Sequence, residues 1–181
     1  MAACAHLLLI VSVLCASCQR QPPEDDLIDV TLTADGWGAL RIGMTHADVV
    51  AAAGPDADPD AVGGPDPETC DEFRPSRAPE GMLVMIEDGR LARISISKAG
   101  IRTDRGFGVG ATASAIKAAY GAWASATPHQ YLPAQAEYIT VWTTDPNATD
   151  ARGIVYETGT DGLVISVLAG GPSIQYVEGC V

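Results

Sequence analysis

The chain has 181 residues, 23 acidic against 11 basic side chains, a net charge of −12 and five cysteines. That length suits one domain or two small fused repeats, and 47% hydrophobic content with three Trp and five Tyr excludes wholesale disorder. Such acidity with only two lysines excludes nucleic acid as a partner, because phosphate binding needs a basic stripe, and excludes a polybasic membrane patch.

Residues 1–18 contain no Asp, Glu, Lys or Arg, and Leu7–Leu14 is an apolar run of signal-peptide length. It is shorter than the roughly 20 apolar residues that a membrane-spanning helix needs. The small residues Cys15-Ala16-Ser17 before Cys18 resemble a bacterial lipobox, with Cys18 as the lipidated residue. The alternative is an ordinary secretory signal cleaved nearby. Gln19 in place of Asp favours the outer membrane, with the domain facing the periplasm. Residues 19–27, polar and proline-bearing, read as a flexible tether.

Cys4 and Cys15 leave with the signal, and a lipid on Cys18 leaves Cys70 and Cys180 to pair in an oxidising compartment. Their bridge closes a loop of about 110 residues, stabilising by on the order of 4–5 kcal/mol in the chain-entropy model. His46 and His129 show no ligand spacing with these cysteines, so no metal is expected.

An internal repeat organises the remainder. Ile42–Gly54 recurs as Val109–Gly121 at an offset of 67 without a gap. Each copy reads as a short helix. Thr45 and Thr112 are N-caps, and Gly54 and Gly121 supply the left-handed residue that ends the helix. Val49, Val50 and Ala53 mark the apolar face of the first copy; Ile116, Ala119 and Tyr120 mark that of the second. Gly81–Ile96 predicts a hairpin turning at Asp88-Gly89, and Gly153–Leu168 its counterpart at Asp161-Gly162. In the first, Ala92, Ile94 and Ile96 alternate with Arg93, Ser95 and Ser97, which predicts one wet face. A further strand is expected over Glu137–Thr144, and residues 55–68 and 171–172 read as loops. The expected fold is α+β, with residues 28–102 and 103–181 as tandem helix-plus-antiparallel-strand repeats. Neither copy buries a sheet face alone, so the two join in one continuous sheet with short helices on one face.

The element I-G-M-T-x-x-x-V-x-x-x-x-G, Ile42 to Gly54, resembles the helix signature of outer-membrane assembly lipoproteins of the BamE kind. Its tandem use resembles the β-lactamase inhibitory proteins. With Pro128–Tyr131 and the Glu178-Gly179-Cys180 ending, the whole chain resembles a family of exported bacterial lipoproteins. The resemblance implies a non-enzymatic binding or scaffolding domain in the envelope and transfers no ligand.

Gly106-Phe107-Gly108-Val109-Gly110-Ala111 fits a dinucleotide fingerprint, yet no acid lies at the required spacing of about 20 residues, so no cofactor is expected. Asp56, Asp58 and Asp60 are spaced like the start of an EF-hand loop, but Ala61 stands where glycine is needed and Pro67 where glutamate is needed. A solvated acidic loop is expected, with a weak Ca²⁺ contact through Asp66 or Glu68 left open. No nucleophile motif accompanies His129, which reads as a hydrogen-bonded loop residue rather than a general base.

Aromatic residues are the best lead for binding. Tyr138, Thr140 and Trp142 share one strand face, and Ile139 and Val141 the other. Either the aromatics are core, or they stand on an open recognition face beside His129 and Tyr131. The expected function is a lipid-anchored envelope module that binds another envelope protein. The alternatives are an inhibitor or sensor holding an enzyme or small ligand on its sheet face and, at low weight, a hydrolase using His129.

Overall fold

The computed structural model describes residues 31–61 and 63–180. The signal, Cys18 and the tether lie outside the described residues.

The chain is mostly antiparallel sheet with two short helices. It begins with a two-stranded ribbon, β1 (Gly36–Trp37) and β2 (Leu40–Arg41). Helix α1 (His46–Ala53) follows, and the Thr45 hydroxyl accepts from the Asp48 amide at 3.2 Å. That bond satisfies one of the donors that a helix start leaves unpaired. Strands β3 (Cys70–Phe73), β4 (Met82–Glu87) and β5 (Arg90–Ile96) come next. Helix α2 (Ala113–Tyr120) is capped by Thr112 in the same way, then β6 (Ala124–Pro128), β7 (Glu137–Trp142), β8 (Gly153–Thr158) and β9 (Val164–Gly170) complete the strands. After β9 the chain makes a 3₁₀ turn, Pro172–Gln175, and continues as a C-terminal segment.

The main sheet has seven strands in the order β3-β4-β5-β9-β8-β7-β6, every neighbouring pair antiparallel. The β1–β2 ribbon forms a separate small sheet, where a single continuous one was expected. Both helices pack on one sheet face. Val49 and Ala53 of α1 and Ala113 and Ile116 of α2 join Phe73, Val84, Ile94, Ile139, Ile154, Tyr156 and Val167 in one buried cluster. Ala119 was expected in that face but is exposed, because α2 turns Ala113, one turn before Ile116, to the sheet instead. Tyr156 is the largest side chain in the cluster; its hydroxyl donates to Thr103 Oγ1 at 3.0 Å and meets the Tyr120 hydroxyl at 3.0 Å.

The first hairpin turns at Asp88-Gly89 with φ of 51° and 71°, the positive pair that a type I′ turn requires. The second does not turn on two residues. Residues 159–163 form a longer loop, in which Gly159 N–H donates to Leu163 O and the Asp161 carboxylate accepts from Leu163 N–H. A register shift between Glu157 and Thr158 accompanies it.

The expected wet face of β5 is wet only in part: Ser95 is half-buried and Ser97 exposed, but Arg93 is not. Arg93 is 4% exposed, because the C-terminal segment crosses the sheet face opposite the helices and covers it. Arg93 pairs with Glu72 and donates to the carbonyls of Ser173 and Tyr176. The segment ends at the Cys70–Cys180 disulfide, with the two Cα atoms 5.4 Å apart. The end of the chain is therefore tied to edge strand β3, as the cysteine count predicts. Pro172, expected in a loop, opens the 3₁₀ turn.

Candidate functional site

The C-terminal segment packs against β5, β8 and β9, with Ile174 set against Gly153, and leaves Tyr138, Thr140 and Trp142 of β7 half-buried beside it. The register dictates what stands there. Tyr138 lies opposite Glu157, Thr140 opposite Val155 and Trp142 opposite Gly153, and Val155 in turn lies opposite Leu168. Thr140, Val155 and Leu168 thus form a row across three strands. They floor a groove of about 250 Å³ that is walled by Ile174, Gln175, Tyr176 and Val177 of the C-terminal segment. Ser125 and Thr127 of β6 form its outer rim.

Of the two readings of β7, the geometry matches the open face. Ile139 and Val141 are buried against the helices, whereas Tyr138 and Trp142 are half-buried and line the groove. Trp142 lies against glycine. A Cβ built on Gly153 would fall 2.7 Å from Trp142 Cε3 and 3.0 Å from Ile174 Cδ1. The indole and Ile174 therefore pack in space that any side chain at position 153 would occupy.

His129 lies behind the groove. Its ring stacks on Tyr138 with centroids 4.6 Å apart and planes at 24°. Nδ1 receives the backbone N–H groups of Tyr131 and Leu132, each at 3.1 Å. Backbone N–H can only donate, so Nδ1 is the acceptor and the ring proton sits on Nε2. Nε2 then donates to Glu157 Oε1 at 2.9 Å. The histidine fixes the turn after β6, backs the Tyr138 ring and orients the Glu157 carboxylate. Both ring nitrogens are engaged, and the side chain is 5% exposed. Tyr131 is 57% exposed on that turn, edge-on to His129, and stands outside the groove lining. The four aromatic binding candidates thus separate into two that line the groove, one that supports it and one beyond its rim.

Burial pushes the Tyr138 phenol above its ordinary pKa, and the neighbouring Glu157 carboxylate adds to the effect. The Tyr176 phenol is raised chiefly by the hydrogen bond it donates to Glu87 Oε1 at 2.9 Å, then by burial. Both hydroxyls are neutral near pH 7. Glu157, Tyr176 and Ile174 escaped the sequence reading. Glu157 had a legible signal, since it stands on the same face of its strand as Gly153 and Val155. Tyr176 and Ile174 reach the groove only through the path of the C-terminal segment.

The other sequence candidates lie away from this groove. The Asp56 carboxylate accepts from the amides of Asp58 and Arg74, and Asp66 Oδ2 accepts from the Thr69 hydroxyl, so both brace turns. Among the described residues, no group of three or more His, Cys, Asp or Glu is placed to hold a metal. Gly110 adopts φ of 89° and its N–H donates to Val164 O, docking the approach to α2 on the start of β9. The parallel βαβ pair that a dinucleotide site requires is replaced here by an antiparallel sheet. Among the described residues no helix is long and apolar enough to cross a membrane.

No protein-family model matches the chain, and no curated protein matches it. Among solved structures it is similar to an extracellular protein containing a SCP domain from Bacillus anthracis str. Ames, at 7% identity and a TM-score of 0.44. The likeness covers 90% of this chain and 50% of that one, so the chain spans about half its length. A likeness at that level carries no argument about activity.

Proposed function

We propose that this protein is a non-enzymatic module of a bacterial envelope, anchored by a lipid on Cys18 and facing the periplasm, that binds another protein in its open sheet groove. The observation that carries the reading is the pair Tyr138 and Trp142, held on a rigid sheet with their apolar surface turned to the groove. Tyr and Trp with few rotamers to lose are strong contributors at protein interfaces. At about 250 Å³ the groove falls below the range of roughly 300–1,000 Å³ common for small-molecule sites, and suits one or two anchoring side chains. The non-enzymatic reading is supported by His129, whose two nitrogens are already taken by Glu157 and two backbone amides.

The module is built from two copies of one unit, over 28–102 and 103–181. Matched hydrogen bonds support this. Gly43 N–H donates to Leu91 O, and Gly110 N–H donates to Val164 O; His46 N–H donates to Gly89 O, and Ala113 N–H donates to Gly162 O. In each pair the donors are 67 residues apart, as the helix copies are, and the acceptors 73 apart, as the Asp88-Gly89 and Asp161-Gly162 landmarks are.

Affinity capture from detergent-solubilised envelope tests the function. The wild type retains a partner under mild conditions and Trp142→Ala loses it. A wild type that retains nothing contradicts the proposal.

A further inference from the structure

The groove has an electrostatic asymmetry that narrows the partner. Glu157 is its one charged lining residue, and no Lys or Arg lines it. The nearest strand cation on this face, Arg93, is spent beneath the C-terminal segment on Glu72 and two carbonyls. Only Oε1 of Glu157 takes a hydrogen bond, from His129, and Oε2 takes none among the described residues. The side chain is 25% exposed and lines the groove, so the carboxylate keeps acceptor capacity free there. Beside it stand Tyr138, with one ring face covered by His129, and further along the same strand face Trp142.

We infer that the groove takes an arginine side chain from an exposed segment of a partner protein, with the guanidinium at Glu157 and its stem over Val155 and the aromatic rings. The inference rests on the protein-binding reading above and specifies its chemistry. A carboxylate next to aromatic faces is the combination that a guanidinium satisfies at once, through charge-assisted hydrogen bonds and stacking. A lysine ammonium is a more strongly hydrated point charge and gains less from the aromatic surface. A chain with net charge −12 also attracts a basic segment at long range, which speeds encounter without fixing where it docks.

The test uses the full chain and a blocked Gly-Ser-Arg-Ser-Gly peptide, with citrulline and norleucine versions as controls. Citrulline keeps the shape of arginine and loses its charge; norleucine keeps only an apolar stem. Binding is read from the assigned Trp142 indole N–H and the amides of Tyr138 and Thr140 by NMR titration. The arginine peptide should shift these signals saturably and bind at least about tenfold more tightly than either control. Glu157→Gln, which can still accept from His129, should remove that preference. Equal binding of arginine and citrulline peptides overturns the inference, as do shifts confined to the acidic loop 56–71. If Glu157→Gln does not fold, the comparison among the three peptides on wild type decides alone. A captured partner lost with Trp142→Ala but kept with Glu157→Gln overturns the arginine assignment while the protein-binding reading stands.

Discussion

Trp142 and Gly153 face each other across β7 and β8, and the indole packs where a side chain at position 153 would project. Gly153→Ala therefore forces the ring, Ile174 or the backbone to shift. Overpacking of this kind costs roughly 1–3 kcal/mol. Urea unfolding should show a lower midpoint with unchanged slope, and the near-ultraviolet circular dichroism of Trp142 should change. A variant as stable as wild type with the same aromatic spectrum would show that the indole is not wedged there.

Arg93 and Glu72 are a buried ion pair, with Arg93 Nε lacking any partner among the described residues. Removing one partner leaves the other charged and desolvated. Arg93→Met should cost about 3–5 kcal/mol, more than a surface pair could supply. Replacing both, Glu72→Leu with Arg93→Met, should cost clearly less than the two single changes added together. A double-mutant cycle by urea denaturation measures the coupling. Additive costs would mean that the pair contributes nothing as a pair.

The Cys70–Cys180 bridge spans a separation of 110 residues and ties the C-terminal segment over the sheet. Replacing both cysteines with serine should cost up to about 4–5 kcal/mol. In a domain of this size, each kcal/mol lowers the melting temperature by about 2–4 °C. Hydrogen exchange should accelerate first in residues 172–180, ahead of β8 and β9. Uniform acceleration over the whole sheet would contradict a strap that is held locally.

Burial raises the phenol of Tyr156 far above the ordinary tyrosine range, and burial likewise raises that of Tyr120. In the unfolded chain these tyrosines lose their protons near pH 10, whereas in the fold they retain them. The folded state then binds more protons, so stability is full below pH 10 and falls as pH rises beyond it. Urea midpoints between pH 8 and 10.5 should show this fall, and Tyr156→Phe should flatten it. The same variant should cost about 1 kcal/mol at neutral pH through the lost bond to Thr103. A fall of the same steepness in Tyr156→Phe would place its origin elsewhere.

Local signals in the sequence anticipate local structure. Thr45 and Thr112 cap their helices, and Asp88-Gly89 makes its turn, because each depends on a few neighbouring residues. Apart from the Cys70–Cys180 bridge, long-range features were not legible. β3, β6 and the β1–β2 ribbon are short and weakly patterned, and pairing with neighbours makes them strands. Arg93 reads as a solvent residue by alternation and is buried only because a segment 80 residues later crosses it. The groove shows the same division. The alternation of Tyr138, Thr140 and Trp142 was visible, but which face stays open depends on where the C-terminal segment lies. Its wall and its carboxylate come from other parts of the chain.

The most direct test of the central claim, that this groove meets another protein, is photo-crosslinking in cells. Benzoylphenylalanine at Thr140, on the groove floor, should yield one discrete heterologous adduct, and the same probe at Ala115, exposed on α2, should not. Adducts from Ala115 and none from Thr140 would place any interface on the helical side and contradict the account.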